Sequence, residues 1–237
     1  MSAVSEVKTA AGAGPRHLAF HPEGRFLYVV SELDATVTVF PYDAATGKLG
    51  ASIQAISTVP ANFVGTKSTA EIVVHPSGKF LFSSNRGQPD ATTPEANAIV
   101  SFAIDAATGK LTLVGHMTAG IKYPRNFALD PTGTLLQACN QQADTIVQFR
   151  LNTATGQLTA TGQVTQTPTP VCLVFATLAP PAPPATGSGG NLPGLPNTGG
   201  GGMAHDGQLL GLLGAVGLGV SALAAFGRRV QKPDEKE

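Results

Sequence analysis

The chain carries its chemically useful side chains at matching places in three stretches of sequence. Glu71 heads the apolar run in STAEIVVHPSGKFLFSSNRG, residues 68–87, and aligning that run with those beginning at Pro15 and Pro124 puts His17, Glu71 and Asn126 at one position. Arg16, Ala70 and Arg125 come just before, and Glu32, Arg86 and Gln141 form a second matched set. A shorter stretch from Thr169 puts Cys172 at the first of these positions. A carboxylate left in an apolar strand without a partner is costly, so Glu71 either lies on a wet rim or has a task. His and Glu exchange protons, and Arg offers a planar fork of donors to an anion, so the set holds the parts for proton transfer beside a held anion. A core position would repeat as one apolar type, as Phe26, Phe80 and Leu135 nearly do.

The elements that position these residues follow from the repeat. The stretches are offset by 54 and 55 residues, and each continues into an alternating run (ATVTVF, AIVSFAI, TIVQFRL) and a Thr-Gly turn at Asp43, Asp105 or Asn152. Four short strands per unit at a period near fifty describe a blade of a β-propeller, whose first strands line a central channel. The expected fold is all-β: a partial propeller over residues 1–176 with three complete four-stranded blades and one strand of a fourth at TPVCLVF. The matched polar residues then converge on one mouth of the channel. Closed propellers need roughly four to eight blades. The chain is therefore expected to be the C-terminal half of a longer protein, with SEVKTAAGAG as the last strand of a preceding blade, or else to close by self-association. The start MSAVSEVKTAAG has no apolar signal-peptide core, which fits truncation. After Arg86 the insertion GQPDATTPEANA lengthens one hairpin and is read as a tolerated loop more readily than a lid.

Composition narrows the function classes. The 237 residues have zero formal net charge and only 13% charged side chains, with no cluster of Lys and Arg among aromatics, so no nucleic-acid partner is expected. Cys139 and Cys172 match no metal spacing and are expected in the core. His21 and His75 share a turn position with Asp130 and are read as turn-stabilising, while His116 and His205 stand isolated. No metal and no cofactor is expected: there is no phosphate-cradling Gly loop, no paired-Cys motif and no Ser-His-Asp signature.

Beyond residue 176 the composition changes. Residues 177–202 are a Pro- and Gly-rich linker, and within 203–237 the uncharged run 209–226 is long enough, narrowly, to cross a bilayer as a helix. LPNTG at residues 195–199 (Leu195, Pro196, Asn197, Thr198, Gly199), this span and Arg228-Arg229 resemble the cell-wall sorting signal of Gram-positive-type bacteria. The resemblance implies a sortase that cuts between Thr198 and Gly199 and a propeller displayed outside the cell on wall or membrane. A plain C-terminal membrane anchor is the alternative.

GPRHLAFHPEGRFLYVVSEL, AEIVVHPSGKFLFSSNRG, PRNFALDPTGTLLQACNQ and PTPVCLVF, in that order, resemble the C-terminal half of the seven-bladed lactonase family, which includes propeller-type 6-phosphogluconolactonases and muconate-lactonizing enzymes. The resemblance implies hydrolysis of a small lactone, with His17, Glu71 and Arg125 as catalytic residues in the channel and Arg16, Arg86, Asn126 and Gln141 as substrate-binding candidates. Opening a lactone needs a group to activate water, a charge for the oxyanion and a proton for the ring oxygen. His17 or Glu71 can serve as base or acid, and Arg125 with Arg86 can hold the oxyanion, a carboxylate or a phosphate. A surface propeller that binds a ligand or protein without catalysis is the second reading.

Overall fold

The computed structural model describes residues 4–176. The linker, the LPNTG motif and the apolar span expected to form a membrane helix lie outside the described residues. Among the described residues thirteen strands form three antiparallel sheets. Blade 1 has β1 (Pro15–Phe20), β2 (Phe26–Ser31) and β3 (Thr36–Asp43), with its outer edge split into β4 (Lys48–Leu49) and β5 (Gln54–Ser57). Blade 2 has β6 (Thr69–Val74), β7 (Phe80–Asn85), β8 (Ala98–Ile104) and β9 (Leu111–Met117). Blade 3 has β10 (Pro124–Leu129), β11 (Leu135–Asn140), β12 (Thr145–Leu151) and β13 (Leu158–Gln166). In blades 2 and 3 each strand pairs with the next in sequence, and the first strands β1, β6 and β10 are neighbours, as in a partial propeller.

Strand periodicity explains the stacking. Successive side chains of a strand point to opposite faces. Leu81 on β7 and Val100 on β8 therefore join Tyr28, Val30, Val37 and Val39 of blade 1 in one core. Their immediate neighbours Phe82 and Ile99 join Phe127, Leu136 and Phe149 of blade 3 in another. Blade 2 is apolar on both faces because each face meets a blade.

The seams are locked by contacts that recur. The Phe26 ring fills the space a side chain at Gly109 would need, at 2.5 Å from an ideal Cβ, and the Phe80 ring does the same at Gly156. His21 Nε2 lies 3.1 Å from the Gly78 carbonyl oxygen, and His75 Nε2 lies 2.9 Å from that of Gly133. Each Nδ1 accepts a backbone N–H, from Glu23 and Ser77, so Nε2 carries the proton it donates across the seam. The two imidazoles thus stabilise their own turns, as expected, and also tie each turn to the next blade.

Four details differ from expectation. Residues 169–175 form no strand, because an inner strand pairs only with the second strand of its own blade and no such partner exists among the described residues. Leu173 instead packs on Cys139 and Ile146. Residues 5–9 are not a strand either; they lie over the outer face of blade 1, enclosing about 580 Å³ against Leu18, Leu27, Val29 and Phe40. Cys139 is buried, with its thiol pushed up to about 12 by desolvation, but Cys172 is exposed. His116 is not isolated, since its Nε2 lies 2.8 Å from the Thr58 carbonyl oxygen.

Candidate active site

The inner strands open with the same irregularity. The ladder shifts register between Pro15 and His17, between Thr69 and Ile72, and between Pro124 and Asn126. A bulge of this kind re-aims the side chains around the extra residue. Arg16 and His17, Glu71, and Arg125 and Asn126 all sit at these shifts, which is why one end of three strands can gather them.

Glu71 is the centre of the cluster. Its Oε1 is 2.8 Å from His17 Nδ1 and accepts the Ile72 N–H at 3.0 Å, while Oε2 accepts from Asn126 Nδ2 at 2.6 Å. Its own N–H donates to Ser84 Oγ at 3.0 Å. These partners make a carboxylate tolerable in an apolar strand: both oxygens are satisfied, and the side chain is only 14% exposed. His17, by contrast, is 42% exposed. A carboxylate only accepts, so Nδ1 carries a proton in this pair, and in the neutral tautomer the lone pair lies on Nε2. Arg16 Nη1 stands 3.3 Å from that Nε2 and donates to the Ala70 carbonyl at 2.6 Å.

A second pair of charges supports the first. Glu32 takes Arg16 Nε at 3.3 Å through one oxygen and Arg86 through the other. Arg86, expected at the mouth, is instead turned into the seam: it is 5% exposed and donates to Ser68 Oγ and the Thr69 carbonyl, each at 3.0 Å. Its guanidinium lies 5.5 Å over the Tyr123 ring. Burial, then the charge of Arg86, pulls the Arg16 pKa below its usual value, and Glu32 opposes this. Arg125 contributes to the same repulsion, so three arginines stand close together against the two carboxylates Glu32 and Glu71.

The remaining expected residues divide. Arg125 is half-buried and its guanidinium makes no hydrogen bond among the described residues. Asn126 is engaged at both ends, giving Nδ2 to Glu71 and taking the Leu173 N–H on Oδ1 at 2.9 Å, so it braces the site. Gln141 is half-buried, with its Oε1 enclosed and unpaired among the described residues. A cleft of about 430 Å³ runs from Glu71 and Asn126 between β6 and β10, past Val73 and Phe127. No group of His, Cys, Asp and Glu able to hold a metal occurs among the described residues. Glu32 was visible in sequence as the counterpart of Arg86 and Gln141, yet only the structure shows it bridging Arg16 and Arg86; Ser84 and Tyr123 carried no signal.

The model of the family described as lactonase, 7-bladed beta-propeller matches residues 1–175. A 6-phosphogluconolactonase of Pectobacterium carotovorum is 40% identical over 138 residues, covering 58% of this chain and 39% of that protein. The 6-phosphogluconolactonase of Bacillus subtilis is 33% identical over 166 residues, covering 70% and 45%. The solved structure of a periplasmic gluconolactonase of Pseudomonas aeruginosa superposes with a TM-score of 0.66 at 32% identity, covering 73% of this chain and 45% of that one. The chain thus spans less than half the length of these relatives. On the match of that family model over residues 1–175, the chain belongs to the family of seven-bladed β-propeller lactonases.

Proposed function

We propose that the site hydrolyses a small anionic lactone, with His17 as the general base. The carrying observation is the Glu71–His17 pair: a braced, acceptor-only carboxylate fixes the Nδ1 proton and leaves the lone pair on Nε2 of an exposed ring, where Arg16 Nη1 is its one protein neighbour among the described residues, at 3.3 Å. Nε2 takes a proton from water as the water oxygen attacks the lactone carbonyl, and the carbonyl π electrons move onto its oxygen. Collapse of the tetrahedral intermediate breaks the bond to the ring oxygen, which takes the proton back from Nε2 and leaves a hydroxy acid. Glu71 stabilises the imidazolium formed between these steps, a role like that of the carboxylate in a hydrolase triad. Arg125, with no protein partner among the described residues, is placed for the oxyanion or for a substrate anion, and Arg16 flanks Nε2.

Three arginines against two carboxylates leave the cluster net positive, which favours a phosphorylated or carboxylated lactone over a neutral one. The name of the curated relatives, 6-phosphogluconolactonase, falls in this class, while gluconolactone, named for the Pseudomonas aeruginosa structure, is the neutral counterpart. Proton release by the full 237-residue chain on 6-phosphogluconolactone, gluconolactone and muconolactone tests the reading. Turnover above the spontaneous rate, greatest on an anionic lactone, is expected; a spontaneous rate on all three would remove it and favour a binding propeller. We further propose surface display through LPNTG, supported by the order of motif, apolar span and Arg228-Arg229. Incubation with a sortase and a glycine nucleophile should cut after Thr198, and an uncut chain would leave a plain membrane anchor.

A further inference from the structure

We propose that Asn97 is a positioning residue for the site's arginines and that the insertion after Arg86 serves to deliver it. Only the expected effect on turnover rests on the lactonase reading.

The insertion replaces a tight turn. In blades 1 and 3 the residue before the third strand is left-handed, Ala35 at φ 54° and Asp144 at φ 52°. In blade 2 that place is taken by Asn97, in extended backbone at φ −114°, after a 3-10 turn at Pro94–Ala96. The longer path is anchored rather than free to act as a lid. Asp90 Oδ2 accepts the Thr66 N–H and hydroxyl at 2.9 and 2.8 Å, and the Glu95 carbonyl accepts from Asn85 Nδ2 at 3.1 Å.

What this path presents is one carboxamide oxygen at the seam between blades 2 and 3. Asn97 Oδ1 accepts the Tyr123 N–H at 2.7 Å and the Gly87 N–H at 3.1 Å. Gly87 directly follows Arg86, and Tyr123 stands two residues before Arg125. A single atom therefore ties the backbone behind one arginine to the backbone ahead of the other. Any side chain at Gly87 would collide with the Asn97 amide. Tyr123 is itself held at φ 52°, a conformation costly for a bulky residue, and its ring supports the Arg86 guanidinium. Asp144 makes the matching bond in blade 3, its Oδ1 accepting the N–H of left-handed Thr169 at 2.7 Å. Ala35 of blade 1 has no side chain able to do so. Without the Asn97 oxygen, two N–H groups lose their acceptor and Tyr123 is free to leave its strained conformation, taking the base of Arg125 and the support of Arg86 with it.

The test compares Asn97→Ala, which removes the acceptor, with Asn97→Asp, which keeps one in place, in the full chain. Amide exchange at Gly87 and Tyr123 and of the buried Arg86 Nε–H should quicken about tenfold or more in the alanine variant, the scale of one lost hydrogen bond, and return toward the parent in the aspartate variant. Hydrolysis of 6-phosphogluconolactone should fall about ten- to a hundredfold in kcat/KM for Asn97→Ala, the scale of a small misplacement of binding groups, with recovery in Asn97→Asp. Should the alanine variant lose its cooperative melt, Asn97→Ser, too short to reach both N–H groups, takes its place. Unchanged exchange in the acceptor-free variant, parental turnover in it, or no recovery with aspartate overturns the proposal. A parent chain that hydrolyses nothing counts against the lactonase reading instead, and the exchange rates alone then decide the role of Asn97.

Discussion

The two ends of each seam between blades obey different rules. At the end holding the Pro-x-Gly and Thr-Gly turns, the same residues meet in both seams: His21 with Gly78 and His75 with Gly133, Phe26 with Gly109 and Phe80 with Gly156. At the other end, equivalent positions hold different residues that complement one another. His17 meets Glu71, Glu71 meets Asn126, and Glu32 meets Arg86. A contact that recurs unchanged can only make one seam like the next, which is what a scaffold needs. Proton transfer and anion binding need unlike groups side by side, so the repeat has to break where chemistry is done. The insertion that carries Asn97 is another such break, and it lies at the same end.

The sharpest way to break the contrast is at Glu71. Both of its oxygens accept hydrogen bonds, so Glu71→Gln must turn its new amide toward Asn126 Nδ2, donor against donor, or toward His17. The first loosens the brace, and Asn126 cannot flip its amide without losing the Leu173 N–H. The second donates to Nδ1 and forces the proton onto Nε2, where it blocks the base. Turnover should fall about 10²- to 10⁴-fold, the usual scale for a lost acid–base group, with the cooperative melt retained. Steady-state kinetics beside calorimetry checks this; unchanged turnover would return Glu71 to the scaffold.

The opposite end should answer in stability rather than rate. Gly156 has φ 76° and an added Cβ would stand 2.5 Å from the Phe80 ring, so Gly156→Ala suffers both a left-handed alanine and overpacking, together about 2–5 kcal/mol. Gly162, at φ 82° with open space around its Cβ position, should lose only the conformational part, about 1–2 kcal/mol, in Gly162→Ala. Denaturant titration measures both. Equal losses in the two variants would show that the seam contact contributes nothing, and a fall in kcat of still-folded Gly156→Ala would join the two ends functionally.

Sequence reading resolved the recurrent end better than the variable one. Blade boundaries followed from Pro-x-Gly and Thr-Gly turns and alternating runs, because local turn chemistry and the two-residue period set them. Alignment also brought His17, Glu71 and Asn126 to one level, since equivalent positions in neighbouring blades are neighbours in space. It could not tell which way each side chain turns. Arg86 looks like Arg125 in sequence, yet one is committed to Glu32, Ser68 and Thr69 while the other keeps a guanidinium without protein partners among the described residues. That choice depends on partners at separations of 54 and 17 residues, which a local pattern does not encode. The strand expected at residues 169–175 failed for a related reason: its composition suits a strand, but a strand exists only with a hydrogen-bonding neighbour.

The smallest expected effect lies within the repeat itself, where the Thr-Gly turns differ by one atom type. Asp43 and Asp105 hold their turns with a carboxylate, and Asn152 holds the third with an amide oxygen that accepts the Ala154 and Thr155 N–H groups at 2.9 and 3.2 Å. The Thr46 hydroxyl, then the Ala45 N–H, lowers the Asp43 pKa below the ordinary 3.8, and the Thr108 hydroxyl, then its N–H, does so at Asp105. A carboxyl group whose pKa is lower folded than unfolded stabilises the fold above its unfolded pKa, and that contribution is lost as pH falls through the folded one. The parent should therefore lose melting temperature on acidification below about pH 4 partly through these two turns. Asp43→Asn with Asp105→Asn makes all three turns alike, so between pH 7 and pH 3 its melting temperature should fall by less than that of the parent. Both side chains are fully exposed, which keeps the difference small and makes differential scanning calorimetry at matched ionic strength the fitting measurement. An equal fall in parent and double variant would mean that the third turn's amide differs from the carboxylates in nothing that stability can sense.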